Sequence, residues 1–218
     1  MNLTQIFVFL ISYIIGSIPF AYIFTKKYKN LDLTKEGSRS LGAMNAYESS
    51  HNIWIGIMVL IADLGKGALT TAIAINFEQS IAITFWSSIG AVLGHNFSIF
   101  MKFKGGRGLA VSTGALMLIN PIGVIIWLIL YFIARYVLTS NVHLDNLFAC
   151  VLTPIILLFT PDFILWDLSI YSFYDIREYR ILVAILSGLI IIKHIEPIYA
   201  LIKQGRLSED SVRQKSNK

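Results

Sequence analysis

The stretch IFVFLISYIIGSIPFAYIF, residues 6–24, contains no charged side chain. As a helix rising about 1.5 Å per residue it reaches about 28 Å, close to the roughly 30 Å hydrocarbon core of a bilayer. Further apolar stretches follow over roughly 53–76, 80–101, 109–134, 146–160 and 181–200. A chain assembled from such blocks buries them in lipid or aggregates. Composition points the same way: 56% of the residues are hydrophobic and 14% are charged, whereas an ordinary soluble domain is about 25% charged. This excludes a soluble globular protein, a disordered chain and a disulfide-stapled secreted domain. Cys150 is the single cysteine, so no internal bridge can form. The four histidines show no metal-ligand spacing, and neither a metal nor a cofactor is expected.

No basic segment precedes the first stretch and no small-residue cleavage site follows it, so it reads as a membrane span and not as a secretory signal. Pro19 inside it predicts a kink or a broken span. The stretch over 109–134 is too long for one simple span, and Asn120-Pro121 lies at its middle. Proline lacks an N–H and clashes with the preceding turn, so a tight reversal is predicted there, giving helices over about 107–119 and 122–137. Seven spans result. The expected fold is an all-α, polytopic membrane protein made of one domain, with a short cytoplasmic tail from about residue 204.

Orientation follows from lysine and arginine, which favour cytoplasmic loops. Residues 26–52, 101–108, 135–145 and the C-terminal region with Lys193 hold 15 of the 18 basic residues. The opposite side has Arg177 and Arg180 among Asp162, Asp167, Asp175 and Glu178. The N-terminus is therefore expected outside and the C-terminus inside. The net charge of +5 arises from this bias and calls for no nucleic-acid partner. The aromatic-rich segment over 161–180 reads as interfacial, and SEDSVRQKSNK at the end as a frayed tail.

Three polar, glycine-containing segments fall on the same expected cytoplasmic face. In residues 33–52, Gly37, Ser38, Arg39, Ser40, Gly42 and Asn45 crowd together. Small residues with hydroxyl and amide groups let backbone N–H groups approach an anion. A plain membrane-proximal loop has the same composition. In residues 93–112, FKGGRG sets Gly105, Gly106 and Gly108 beside Lys104 and Arg107, just before an apolar helix. Tight backbone, unpaired N–H donors at a helix start and two cations make a phosphate site, or else a cationic turn that fixes topology. His95 precedes it and is either a phosphate contact or a structural helix-end group. In residues 193–210, His194 is a candidate base, and Glu196 can orient it or bind a ligand ammonium or hydroxyl. Asp63 and Lys66 lie one turn apart within a span. Charges at that depth require pairing, so a structural ion pair is expected, with proton coupling in a transporter as the alternative.

In this order the segments resemble the acyl-phosphate-dependent glycerol-3-phosphate acyltransferase family. GSRSLGAMNAYE (37–48) resembles that family's GSGNxGATNxxR, and Asp63, Lys66 and Gly67 its GxxDxxKG. GHNFSIFMKFKGGRG (94–108) resembles GHxFPxxxxFKGGKG, and HIEPIYALIKQG (194–205) resembles HxENIxRLxxG. GSIPF (16–20) resembles its first span, and the likeness covers nearly the whole chain. It implies a seven-span bacterial inner-membrane enzyme with its active site facing the cytoplasm. The implied reaction moves a fatty acyl group from acyl-phosphate to the 1-hydroxyl of glycerol 3-phosphate, giving lysophosphatidic acid and phosphate. Ser38, Lys104 and His194 would be catalytic. Ser40, Gly42, Asn45, His95, Gly105, Gly106, Arg107, Gly108 and Glu196 would bind substrate, with membrane lipids around them.

Departures fall within the motifs. Ser40 replaces an asparagine, Met44 a threonine, Ser98 a proline, Pro197 an asparagine and Ala200 an arginine; Glu48 stands where the family has arginine. Leu138, Thr139, Ser140 and Asn141 follow Arg135-Tyr136-Val137 where the family usually has serines. They leave open an acyltransferase with a different acceptor, and a catalytically degenerate relative that binds lipid or supports a membrane protein partner.

Overall fold

The computed structural model describes residues 1–138, 141–170 and 175–216, with side chains as far as residue 203; Thr139 and Ser140 fall outside the described residues. All regular structure among them is helical. The helices are α1 (Leu3–Gly16), α2 (Phe20–Lys29), α3 (Ala43–Ser50), α4 (Ile53–Phe77), α5 (Ile81–Asn96), α6 (Leu109–Ile119), α7 (Ile122–Ile133), α8 (Val142–Phe159), α9 (Asp162–Asp167) and α10 (Ile176–Ser216). Among the described residues, four apolar stretches are long enough to cross a bilayer: Leu3–Lys29, Ile53–Phe77, Val142–Phe159 and Ile176–Lys203. Leu109–Ile119 and Ile122–Leu138 are shorter apolar helices. Large apolar side chains such as Phe7, Trp54, Leu158 and Phe159 point outward, as the flanks of a multi-pass membrane protein must.

The first span is broken, as Pro19 requires. A reciprocal pair starts α1: Asn2 accepts from the Gln5 N–H (2.8 Å) and the Gln5 side chain accepts from the Asn2 N–H (3.0 Å). The helix stops at Gly16 and resumes at Phe20. Peptide groups freed at such a break find no water in hydrocarbon and need partners from neighbouring helices. Lys66 Nζ donates to the Ile18 carbonyl (3.1 Å), and the Ser98 hydroxyl donates to the Ser17 carbonyl.

Lipid supplies no hydrophobic drive between helices, so their association depends on close backbone approach. The broadest contacts are α1 with α5 and α4 with α6. Along the first, Gly90 packs on the Phe9 carbonyl and Gly94 on the Tyr13 carbonyl, with Ser12 and Ser87 hydroxyls 2.9 Å apart. Along the second, Gly67 meets Val111 and Gly114 meets Leu64, again backbone to backbone.

The stretch over 109–134 forms two helices with Asn120-Pro121 between them. Asn120 Nδ2 donates to the Leu165 carbonyl (2.8 Å), and its Oδ1 accepts from the Ile122 N–H (3.0 Å). The fully buried Tyr179 hydroxyl donates to the Asn120 carbonyl (2.9 Å) and accepts from the Gly123 N–H (3.0 Å). A π-helical turn, Ala134–Leu138, ends this region. Beyond Pro197, α10 continues to Ser216, where composition alone suggested a frayed tail. Lys, Glu, Arg and Gln are good helix formers and extend a helix already nucleated by an apolar span.

The glycine seams predict a contrast. Gly94→Ala sets a methyl against the Tyr13 carbonyl, an overpacking cost of about 1–3 kcal/mol, whereas a Cβ at Gly188 meets nothing within 4 Å. Thermal unfolding in detergent is expected to show a lower midpoint for Gly94→Ala and an unchanged or higher one for Gly188→Ala.

Candidate active site

Two adjoining cavities open where the three polar segments meet. The larger, about 450 Å³, is lined by Thr34, Ser38, Arg39, Ser40, Phe103, Lys104, Gly105, Arg107, His143, Lys193, Glu196, Pro197 and Ala200. The smaller, about 260 Å³, is lined by Ser38, Met44, Asn45, Glu48, Arg107, Arg135, Asn141, Val142 and His143. Ser38, Arg107 and His143 border both. A third space, about 190 Å³, adjoins the start of α6 and is lined by Ser40, Gly42, Asn45, Asp63, His95, Arg107, Gly108 and Ala110 among others.

Asn45 shapes the first segment. Its buried side chain has four partners in the loop and helix around it. Oδ1 accepts from the Ser38 N–H (2.9 Å) and the Ser49 hydroxyl (3.3 Å), and Nδ2 donates to the carbonyls of Ser40 (2.9 Å) and Glu36 (3.3 Å). Gly37 (φ +53°) and Arg39 (φ +57°) turn the chain over this amide, and a Cβ at Gly37 would strike Asn45 Oδ1. Asn45 thus holds Ser38 at the cavity wall, and Gly42 caps α3.

The second segment is fastened to α5. The Gly106 N–H donates to the His95 carbonyl (3.0 Å), and the Gly105 carbonyl accepts from the Leu41 N–H (3.1 Å), which ties the first two segments together. Side chains are excluded here: a Cβ on Gly105 would meet the His95 carbonyl and one on Gly106 the His95 imidazole. Lys102 (φ +53°) and Phe103 (φ +61°) hold a strained turn, after which Gly108 (φ +86°) caps α6. Beneath the loop, His95 Nδ1 lies 3.6 Å from Asp63 Oδ1, and Lys66 Nζ lies 2.9 Å from the same oxygen.

The third segment contributes Lys193 and Glu196 to the larger cavity. His194 borders none of these spaces; it is 1% exposed, and its Nδ1 lies 2.8 Å from the Ile190 carbonyl. In front of it stands His143, which the sequence did not single out. The two rings meet edge to face, centroids 5.5 Å apart. The available signal was Asn141, an N-cap residue before an apolar run: its Oδ1 accepts from the His143 N–H (2.9 Å) and places His143 in the first turn of α8.

The charges around the larger cavity are Arg39, Lys104, Arg107 and Lys193 against Glu196. Around the smaller they are Arg107 and Arg135 against Glu48, and Arg135 also meets buried Asp145 at 3.3 Å. Burial lowers the Arg107 pKa from its usual value, and the negative charge of Glu48 opposes that shift. Serine hydroxyls, convergent cations and a helix start bordering one cleft are suited to phosphate-bearing ligands.

Fold and site therefore define a multi-pass membrane protein with a cleft rich in cationic and hydroxyl side chains where its three polar segments meet. The chain belongs to the glycerol-3-phosphate acyltransferase family, whose model matches residues 6–204. It is 31% identical over 191 residues to glycerol-3-phosphate acyltransferase 2 of Bacillus cereus, covering 88% of each chain. It is 32% identical over 200 residues to the Ehrlichia canis glycerol-3-phosphate acyltransferase, covering 90% of this chain and 94% of the relative. With glycerol-3-phosphate acyltransferase 2 of Dehalococcoides mccartyi, identity is 37% over 117 residues, and the chain spans about half of that relative, 55%. In fold it resembles the crystal structure of PlsY, an integral membrane glycerol 3-phosphate acyltransferase, in its glycerol 3-phosphate form. The TM-score is 0.73 at 24% identity, with 92% of each chain covered.

Asn45→Ala removes the buried side chain that binds this loop, and with it the hydrogen bonds to the Ser38 N–H and to the carbonyls of Ser40 and Glu36. The expected loss is about 1–3 kcal/mol, read as a lower melting midpoint and earlier proteolysis within residues 33–42. A midpoint equal to that of the unaltered protein would show that the loop is held without it.

Proposed function

We propose that this chain transfers a fatty acyl group from acyl-phosphate to the 1-hydroxyl of glycerol 3-phosphate, giving lysophosphatidic acid and inorganic phosphate. One observation carries the reading: two adjoining cavities share a wall of Ser38, Arg107 and His143, and the reaction joins two phosphate-bearing substrates. Family membership supports it.

The acyl chain would lie between apolar helices while both phosphates sit in the cleft. Lys104 and Arg107 would hold phosphate and stabilise charge on the leaving group. Ser38 and Ser40 would position a substrate by hydrogen bonds. Gly105, Gly106 and Gly108 would keep the loop close enough to do so. The attacking hydroxyl oxygen bonds to the acyl carbonyl carbon, the bond from that carbon to the phosphate oxygen breaks, and the hydroxyl proton ends on the departing phosphate. No acyl-enzyme and no cofactor enters this scheme. We further propose a single transmembrane domain crossing a bacterial inner membrane seven times, with the N-terminus outside and the cleft on the cytoplasmic side. The bias of basic residues supports that orientation.

Purified protein with acyl-phosphate and labelled glycerol 3-phosphate is expected to form labelled lysophosphatidic acid. Lys104→Ala and Ser38→Ala should each lower kcat/KM by about tenfold to a hundredfold, the size of one lost hydrogen bond to a charged group. Folded protein that gives no product above background would favour the lipid-binding reading.

Glu48 yields a separate expectation because it sets a negative charge in the smaller cavity opposite Arg107. Glu48→Gln should lower KM for glycerol 3-phosphate about fivefold, as removal of a repulsion on the order of 1 kcal/mol requires. An unchanged or higher KM would show that Glu48 serves the ligand, for example by accepting from a hydroxyl.

A further inference from the structure

Arg39 occupies a backbone position that disfavours it. Its φ of +57° lies in the left-handed region, where a Cβ crowds the backbone and glycine is the usual occupant. The family pattern GSGNxGATNxxR has glycine at that place. The conformation is held from both flanks: Asn45 Oδ1 accepts from the Ser38 N–H and Asn45 Nδ2 donates to the Ser40 carbonyl, both at 2.9 Å. One buried amide thus clamps the residues on either side of Arg39. An extended chain sends successive side chains to opposite sides, yet Ser38, Arg39 and Ser40 all border the larger cavity. The left-handed bend between them permits it. Strained residues over-determined by their surroundings cluster at ligand clamps.

The guanidinium itself is uncommitted: among the described residues it has no hydrogen-bond or ion-pair partner. Of the other cations around this cavity, Lys193 Nζ stands over the Phe97 ring, 4.8 Å from its centroid, and Arg107 shares the smaller cavity with Glu48. Arg39 and Lys104 are left for a ligand. Position 200 explains the need for the first of them. Pro197 and Ala200 border the same cavity from α10, and the family pattern has arginine where Ala200 stands. A methyl group offers neither charge nor donor. The cavity therefore lacks a guanidinium from α10 and has one from the first polar segment instead.

We propose that Arg39 binds the phosphate group of a substrate in the larger cavity, taking over from the first segment the work of an arginine that position 200 does not supply. The identity of the substrates rests on the acyltransferase reading of the same cleft; the phosphate contact itself requires no turnover. A guanidinium presents two parallel N–H donors to a pair of phosphate oxygens, and the hydroxyls of Ser38 and Ser40 flank it. The backbone separates this role from a structural one. Arg39→Gly relieves the left-handed strain and removes the guanidinium in a single change, so stability and binding move in opposite directions. A residue that merely held the loop would lose both together.

The full-length protein in detergent is followed by its melting midpoint, by steady-state KM for each substrate, and by titration calorimetry with inorganic phosphate. Arg39→Gly is expected to keep or raise the midpoint. It should raise KM for one phosphate-bearing substrate about threefold to tenfold with kcat within about twofold, the signature of a lost binding contact at an exposed charge. Inorganic phosphate should bind more weakly by a similar factor. The substrate whose KM rises is the one whose phosphate the larger cavity takes. Lys35→Ala removes a neighbouring cation that pairs with Asp32 at 3.6 Å and borders neither cavity; it should leave both KM values unchanged. Ala200→Arg added to Arg39→Gly should recover most of the lost affinity. A folded Arg39→Gly protein with unaltered KM values and phosphate affinity overturns the proposal, as does an equal loss in Lys35→Ala. Failure of Ala200→Arg to recover affinity overturns the exchange between positions 200 and 39. If the unaltered protein makes no product, the acyltransferase reading falls, and the phosphate affinities of the two proteins alone decide for or against Arg39. Absence of both turnover and phosphate binding overturns the two together.

Discussion

A helix interrupted inside a bilayer exposes peptide groups to a medium that offers no water, and two interruptions decide where this chain places its polar side chains. The first, at Ser17–Pro19, leaves carbonyls that Lys66 and Ser98 take up. The second, at Asn120-Pro121, is closed by Tyr179 and by the Asn120 side chain itself, which reaches the Leu165 carbonyl. Each repair draws a partner from a distant part of the sequence, so the breaks act as clamps between helices. Ser98 shows the logic at one position. A proline there would have no hydroxyl to give, whereas this chain uses one to hold the end of α5 against the end of α1.

The first clamp continues into the cleft. Lys66 donates to the broken span and pairs with Asp63; the same carboxylate faces His95; the His95 carbonyl receives the Gly106 N–H; and the next residue back, Gly105, receives Leu41 from the first segment. Buried charges at membrane depth are costly unless paired, and here the pair also supports the glycine loop. The loop is therefore placed by the helix core and not by its own turn preferences. This explains why glycine is needed at 105 and 106. Both positions press on His95, and one of the loop's amides is committed to that contact.

The helical membrane architecture was legible because apolar blocks and prolines act locally. The break at Pro19 and the division at Asn120-Pro121 follow from one missing N–H each. The meeting of the three polar segments was legible through family resemblance, since no local rule brings residue 38 to residue 107. Individual roles were harder to read. Asn45 has the composition of a ligand-binding residue, yet its amide is saturated by its own loop. His194 has the chemistry of a base, yet its helix turns it into the protein, a direction set by rotation along α10 that spacing from a motif does not report. His143 lay hidden in an apolar run, because its importance comes from Asn141 capping α8 and aiming that turn at the cleft. The course of α10 through Pro197 was obscured by the proline itself, which local rules treat as a boundary.

Charge divides the cleft unevenly. The larger cavity has four cations against one carboxylate and attracts an anion strongly. In the smaller, Arg107 faces Glu48, and Arg135 is already met by Asp145. Its field is closer to balanced, and a ligand there depends more on directed hydrogen bonds from Ser38 and its neighbours than on net attraction. Hydrogen bonds fix orientation where a diffuse positive field does not. On the proposed acyltransferase reading, a cleft with one strongly cationic compartment and one nearly balanced compartment would separate two tasks, holding a phosphate firmly and setting the angle of a second group beside it. On that reading those tasks would meet at the shared wall of Ser38, Arg107 and His143, and the acid at position 48, which lines only the smaller of the two cavities, would bear on the second compartment and not on the first.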